Sequence, residues 1–284
     1  MSRYISLLAI CIIIYPSISS GEPLTVKYAQ TGYRYEYIIN LLELSLSKTK
    51  TTDGQFILKP VAIEAGKKRL IDYFKQGRFD VMWMATTKER EADFFAIKTP
   101  LLRGILGYRI FLIRKEKADE FSRLKTFEEL KSNFQAGFGS QWADLKILQH
   151  NGIKVVSTPL YKNLFKMLVG KRFDYFPRGI DEAFLEVQVK GAVYPEITVE
   201  KSLCLYYPYP YYFFVHGKND LSDRIRRGLL IAMKDGSFKK LFLQYHKDYI
   251  KNANINKRLI FKLNNPYLVE GTPPPDTSWW LTDK

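Results

Sequence analysis

The chain alternates between short apolar runs, typical of buried strands, and longer segments in which apolar residues recur at helical spacing. The runs 24–29, 56–61 and 80–85 predict three strands. The first helix is predicted by apolar residues three and four positions apart, namely Tyr35, Ile38, Ile39, Leu42 and Leu46. A second helix is predicted over 64–76 and stopped by Gly77. This alternation indicates a mostly parallel, doubly wound α/β sheet.

A second series of strands and helices follows a long apolar strand predicted over 105–115. Thr126 and Glu129 have the spacing of a capping box at the start of a helix. Ser140 is the predicted N-cap of a helix over 141–150. The repeat of the same pattern predicts a second βα block.

The segment RFDYFPRGIDEAFLE, residues 172–186, combines acidic and basic residues in the second block. It predicts a strand over 172–176 and then a helix that bears three acids, Asp181, Glu182 and Glu186. The helical spacing places Glu182 and Glu186 away from the apolar face, which predicts a solvated surface. Near the start of the helix, Asp181 or Glu182 could form a salt bridge with Arg178 and orient it.

A second long apolar strand is predicted over 207–220, and two helices follow it. Two long strands that bracket two βα blocks predict two lobes joined by a two-strand hinge. The predicted boundaries are 23–106 for lobe one, 107–206 for lobe two and 207–251 for the return to lobe one. The remaining segment, 252–284, is rich in proline and is predicted to lie on the surface without regular structure.

The N-terminus has the layout of a signal peptide over residues 1–20. Arg3 precedes an apolar run from Ile5 to Tyr15, and small residues follow. We therefore expect export to the periplasm and removal of this segment. Cys204 would then be the only cysteine, so no intrachain disulfide is expected, and its apolar surroundings predict a buried thiol.

Composition and charge narrow the classes of partner. The 284 residues are 46% hydrophobic and 15% aromatic, which supports a folded core. The 44 Lys and Arg residues exceed the 29 Asp and Glu residues, giving a net charge of +15. These cations are spread along the chain without a polybasic arm or a nucleic-acid-binding motif, so no nucleic-acid partner is expected.

Three segments together resemble the type II, amino-acid-binding class of bacterial periplasmic solute-binding proteins, family 3 of the extracellular solute-binding proteins. GRFDVMWMATTKEREADFFAIKTPLL is similar to that family's strand and T-x-x-R motif, with Thr87 and Arg90 at the motif positions. SNFQAGFGSQWADLKIL is similar to its second-lobe strand and turn at Gly139 and Ser140. YYFFVHGKNDLSDRIRRGLLIAMKDGSFKKLFLQY is similar to its final crossover strand and return helices.

The resemblance implies a two-lobe protein that closes over a small ligand, with Arg90 and Thr87 at a ligand carboxylate. Arginine suits this role because its guanidinium offers a bidentate fork. Ser140 would present its hydroxyl and backbone N–H groups to an anion. The family usually places an acid after the strand that corresponds to 172–176, whereas Arg178 lies there in this chain. A cation at that position favours a ligand with a second anionic group.

Three aromatic residues, Trp83, Trp142 and Tyr33, are predicted near the ends of elements that would line the cleft. We therefore predict ligand contacts from Arg90, Thr87, Ser140, Arg178, Trp83, Trp142 and Tyr33. No cofactor is expected, and the expected form is a monomer whose partner is an inner-membrane transporter or sensor.

Two other functions stay open. Glu182 and Glu186 could serve a carboxylate-dependent periplasmic hydrolase, although both lie on one helix and such enzymes place their acids on opposite sides of the scissile bond. The fold could instead serve as an interaction module without a ligand. The three histidines, His150, His216 and His246, are isolated, so no metal site is expected.

Overall fold

The computed structural model describes residues 22–272. The predicted signal peptide and the last twelve residues, 273–284, lie outside this part of the chain.

The described residues contain twelve strands. They are β1 Leu24–Tyr28, β2 Phe56–Pro60, β3 Val81–Ala85, β4 Phe95–Ile97, β5 Tyr108–Arg114, β6 Ala136–Gly139, β7 Val155–Thr158, β8 Tyr175–Gly179, β9 Ile197–Val199, β10 Leu203–Tyr206, β11 Tyr211–Val215 and β12 Leu259–Lys262.

The same residues contain eleven α-helices, with short 3-10 turns between some elements. They are α1 Glu36–Ser47, α2 Lys50–Asp53, α3 Lys67–Lys75, α4 Lys88–Asp93, α5 Ala118–Ser122, α6 Phe127–Asn133, α7 Leu145–His150, α8 Tyr161–Val169, α9 Ile180–Lys190, α10 Asp220–Lys234 and α11 Ser237–Ala253. This order confirms the predicted α/β class.

Lobe one is built on two small sheets. Strands β1 and β2 pair in parallel, while β11 lies between β3 and β4 and is antiparallel to both. Asp80 joins the two sheets, because its carboxylate accepts the Lys27 N–H at 2.7 Å and its own N–H donates to the Lys27 carbonyl at 2.9 Å. Strand β3 is buried along its whole length, which explains its continuous apolar run.

Lobe two contains a seven-stranded mixed sheet in the order β12-β10-β5-β8-β6-β7, with β9 also paired to β5. The central strand β5 is buried at every position except its first. The capping box predicted at Thr126 and Glu129 is present at the start of α6.

The two predicted crossovers run side by side between the lobes. The Tyr207 N–H donates to the Gly107 carbonyl at 3.2 Å. A Cβ at Gly107 would lie 2.4 Å from the Tyr207 carbonyl oxygen, so only glycine permits this close approach. Both strands are shorter than predicted, since β5 ends at Arg114 and β11 begins only at Tyr211.

Three local predictions are wrong. The helix after β6 begins at Leu145 with Asp144 as its N-cap, so Ser140 caps no helix. Strand β8 extends through Arg178 to Gly179, because these residues pair with β5. The segment after Ala253 is also not free of regular structure, since β12 joins the lobe-two sheet in parallel with β10.

Cys204 is fully buried in β10, and burial raises the pKa of its thiol to about 12. The prediction of a buried thiol is therefore confirmed.

Candidate functional site

A buried ion-pair cluster lies where β8 passes into α9. Arg178 is only 2% exposed and donates from Nε to Glu186 Oε2 at 2.8 Å and from Nη2 to Glu186 Oε1 at 2.6 Å. Its Nη2 also lies 2.9 Å from Glu182 Oε1. Burial opposes the charged form of Arg178, but the two carboxylates outweigh it and raise its pKa. Arg178 therefore organises the acids of its own helix.

A second buried arginine adjoins this cluster. Arg109 lies opposite Gly179 on β5 and donates to Asp144 Oδ2 at 2.6 Å and to Glu182 Oε2 at 3.2 Å. Asp144 also accepts hydrogen bonds from the hydroxyls of Tyr207, at 2.8 Å, and Tyr209, at 3.2 Å. The hinge and lobe two thus share one hydrogen-bonded network.

Glu182 connects lobe two to lobe one. Besides its two buried arginine partners, it accepts the Gly179 N–H at 3.0 Å and lies 3.7 Å from Nη2 of Arg34. Arg34 follows β1 in lobe one, and its guanidinium carbon lies 5.2 Å from the ring centroid of Tyr161 in lobe two. Burial alone would raise the pKa of Glu182. The surrounding arginines lower the pKa by a larger amount, so its net shift is downward. Arg34 therefore spans the two lobes.

Two cations on the lobe-one side lack a carboxylate partner. Arg90 donates from Nη1 to the Ala85 carbonyl at 2.5 Å, and Thr87 accepts the Arg90 N–H at 3.2 Å as the N-cap of α4. Lys67 begins α3 and is half-buried. Burial lowers the pKa of Lys67 to about 7, and the positive charge of Arg90 adds to this effect. Within residues 22–272, neither side chain forms an ion pair.

The other predicted residues have different environments. Trp83 is fully buried in lobe one, with its backbone held by the Gln30 side chain. Tyr33 is 62% exposed in the turn after β1. Ser140 is exposed, and its N–H donates to the Thr158 carbonyl at 3.0 Å. The Trp142 ring lies 4.7 Å from the guanidinium carbon of Arg178.

These positions revise the sequence-based picture of the acids. Glu186 is 6% exposed, so the predicted solvated face is wrong for this residue. The predicted pairing of Glu182 with Arg178 is confirmed. Sequence reasoning missed Arg34, Lys67, Arg109 and Asp144. Only Arg109 gave a signal, as the one charge inside the apolar run ILGYRIFLI.

A cavity of about 20 Å³ remains between the lobes, enough for about one water molecule. Its walls come from both lobes, the hinge and the C-terminal segment, namely Thr86, Thr87, Ala143, Ile147, Tyr209, Pro210, Asn265, Tyr267 and Leu268. Thr87 of lobe one and Ala143 of lobe two line this one cavity, so the two lobes lie close together at this point.

Among residues 22–272, no group of three or more His, Cys, Asp and Glu side chains is arranged to hold a metal ion. No helix within this range is both long and apolar enough to cross a membrane.

Two α/β lobes joined by two crossovers match the type II periplasmic-binding-protein fold, and comparison with solved structures supports this assignment of the fold. No protein-family model matches the chain, and no curated protein matches it by sequence.

Three of the similar structures illustrate the range of ligands on this fold. The GluR0 ligand-binding core from Nostoc punctiforme, in complex with glutamate, has 15% identity and a TM-score of 0.56, and covers 78% of this chain and 99% of its own. A Salmonella typhimurium periplasmic binding protein with high arginine specificity has 16% identity and a TM-score of 0.57, with coverages of 78% and 99%.

The third structure comes from work on glutathione import through GshT and a cystine ABC importer of Streptococcus mutans. It has 14% identity and a TM-score of 0.57, and covers 78% of this chain and 95% of its own. At such identities the similarity establishes the fold and leaves the ligand to be argued from this chain's own residues.

Proposed function

We propose that this chain is an exported solute-binding protein whose lobes close over a small polar ligand that carries an anionic group. The observation that supports this most is the pair of unmatched cations, Arg90 and Lys67, on the lobe-one side of the cleft. An anion placed between them would relieve their mutual repulsion and restore the charged form of Lys67.

The distribution of charge supports an anion on the lobe-one side. On the lobe-two side, the cations Arg109 and Arg178 are already paired with Asp144, Glu182 and Glu186. In this conformation Arg178 directs its donors at Glu182 and Glu186, so we propose that it positions these acids and does not contact the anion directly. This differs from the role that its place in the sequence predicts.

We propose the remaining predicted residues as contacts of different kinds. Thr87 lines the cavity and would approach the ligand beside Arg90. Trp142 covers Arg178 and would form part of the lobe-two wall. Tyr33 and Ser140 are exposed and would contact a ligand at the mouth of the cleft. Trp83 lies in the core and would support the wall through Tyr35, whose ring centroid is 6.0 Å away.

We further propose that the first 20 residues direct export to the periplasm and that the mature chain acts as a monomer. The ligand-loaded form would be recognised by an inner-membrane transporter or sensor. The similarity to a protein studied for its part in ABC import supports this proposal at the level of the fold.

The test is a thermal-shift screen of the mature protein against small carboxylates, phosphates and amino acids. We expect an anionic ligand to raise the melting temperature, and Arg90→Ala to abolish this shift. The matched control is Lys88→Ala, which removes an exposed cation from the same short helix. Equal responses from the two variants would contradict the assignment of Arg90, and a chain that no compound stabilises would favour an interaction module without a ligand.

A carboxylate-dependent hydrolase is a second candidate, because burial and the charge of Glu182 raise the pKa of Asp181 while the net shift of Glu182 is downward. However, Glu186 is held by Arg178 and by the Tyr161 hydroxyl at 2.7 Å, and Glu182 by three arginines. Glycan turnover that is lost in Glu182→Gln would establish the hydrolase and overturn the binding proposal.

A further inference from the structure

The segment that follows α11 runs from lobe one to lobe two and back. Helix α11 packs against α1 and α10 of lobe one and also against α9 of lobe two, and the chain then forms β12 at the edge of the lobe-two sheet. The similar structures described above cover 78% of this chain and nearly all of their own length, so about a fifth of this chain has no counterpart in them.

Beyond β12, several contacts fix the segment to lobe two. The Leu263 N–H donates to the Tyr206 carbonyl at 2.8 Å. Asn151 and Asn264 form a reciprocal pair, in which the Asn151 side chain donates to the Asn264 carbonyl at 2.8 Å and accepts its N–H at 3.0 Å. The Tyr267 ring then packs edge-on against His150 of α7, with the centroids 6.3 Å apart.

The same segment then contacts the hinge and lobe one. The Asn265 side chain donates to the Pro208 carbonyl at 2.9 Å, beside the second crossover. Lys98 directly follows β4 of lobe one, and its Nζ donates to the Glu270 carbonyl at 2.9 Å. Lys98 is held in place by an ion pair with Glu91 at 2.9 Å.

Between its two attachments, the segment closes a side of the cleft. Asn265, Tyr267 and Leu268 line the interlobe cavity opposite Thr87, which precedes the α4 arginine of the proposed site. A turn shortens the segment here, because the Tyr267 N–H donates to the Asn265 side chain at 3.0 Å. Any further separation of the lobe-two and lobe-one attachments would therefore have to open this turn.

We propose that residues 263–272 form a strap that ties lobe two to lobe one and forms part of the cleft wall. Separation of the lobes by a hinge motion would then require the strap to leave Lys98 or its turn to unfold. The strap would favour the closed form before any ligand binds. This inference concerns the protein without ligand and does not depend on which solute the cleft takes.

The test inserts six glycine and serine residues between Leu268 and Val269, which leaves every residue of the strap present but gives it slack. The matched control carries the same insertion after Thr272, beyond the lobe-one attachment. We expect small-angle X-ray scattering of the unliganded proteins to give a larger radius of gyration for the first chain and no change for the control. Equal radii for the two chains would overturn the proposal.

A second pair of variants covers the case in which the insertion disturbs folding, as judged by near-UV circular dichroism. Lys98→Met removes the lobe-one attachment together with the ion pair to Glu91, whereas Glu91→Gln removes only the ion pair. The proposal requires a larger radius of gyration for Lys98→Met than for Glu91→Gln. A pair of variants with the same radius would show that the strap does not hold the lobes.

Discussion

Lys67 provides the sharpest test of the cleft, because it destabilises the unliganded protein in a way that depends on pH. Burial and the charge of Arg90 lower its pKa from 10.5 to about 7. Between these two values the unfolded chain binds a proton that the folded chain does not, so stability rises with pH through this window. The cost of folding with Lys67 in place is therefore greatest below pH 7.

The loss of folding stability caused by Lys67 follows from the size of its pKa shift. At about 1.4 kcal/mol for each pKa unit, the whole shift corresponds to roughly 5 kcal/mol. Lys67 is half-buried, so solvent screening reduces the effect, and we expect about 2 kcal/mol. Lys67→Met, which keeps the aliphatic stem without the charge, should stabilise the unliganded protein by about this amount at pH 6.5.

The assay is urea denaturation at pH 6.5 and pH 9, with Lys68→Met as the control because Lys68 is the exposed neighbour on the same helix. Lys67→Met should gain stability at pH 6.5, and its advantage should shrink at pH 9, while Lys68→Met should follow the unmodified protein. The same Lys67→Met variant should lose binding of the anionic ligand. If Lys67→Met and Lys68→Met have the same stability at both pH values, Lys67 does not carry a strained charge and the reasoning fails.

Three further predictions concern the scaffold. Glu186→Ala removes the main partner of buried Arg178 and should lower the free energy of unfolding by about 3–5 kcal/mol, as measured by urea denaturation. The double variant Arg178→Met/Glu186→Leu should recover much of this loss. A loss below about 1 kcal/mol in Glu186→Ala would contradict the assigned ion pair. Gly228→Ala would place a Cβ 1.8 Å from a backbone oxygen of α1 and should therefore lower the melting temperature. Gly217→Ala is the control, because its Cβ would meet open space. Equal melting temperatures for the two variants would refute this prediction. Burial lowers the pKa of His246 to about 3, so the free energy of unfolding should fall as the pH drops from 6.5 toward 3. His246→Phe should remove this loss, which is about 2–3 kcal/mol at pH 4.5. Parallel pH profiles for the variant and the unmodified protein would contradict this prediction.

Much of the fold could be predicted from the sequence because periodicity reflects one-sided or complete burial. The apolar run of β3, the helical spacing in α1 and the capping box at Thr126 each appear where local pattern places them. The exact ends of the strands and helices were less predictable from the sequence. Strand β8 continues through Pro177 and Arg178 because β5 pairs with them, and no local signal shows that pairing.

The candidate site was predictable only in part. Arg90 and Thr87 come from a short local motif; Thr87 lines the interlobe cavity and accepts the Arg90 N–H. Lys67 and Arg34 lie far from them in sequence and carry no motif, so only the folded structure shows that Lys67 lies near Arg90 and that Arg34 lies near Glu182. The position of Arg178 in the chain predicts a ligand contact, whereas in the folded structure its guanidinium is paired with Glu182 and Glu186, which is why we propose a positioning role for it.

The sequence alone thus determined the alternation of strands and helices, the two-lobe class and the T-x-x-R motif, because each depends on residues close together in the chain. The tertiary structure decided which charges are paired and which are left over, since Glu186 forms an ion pair with Arg178, whereas no carboxylate of the described residues forms an ion pair with Lys67. It also decided that the segment after Ala253 crosses between the lobes, because β12 finds its partner in β10 of lobe two. Charge pairing and strand pairing are contacts across the fold, and a local pattern cannot encode them.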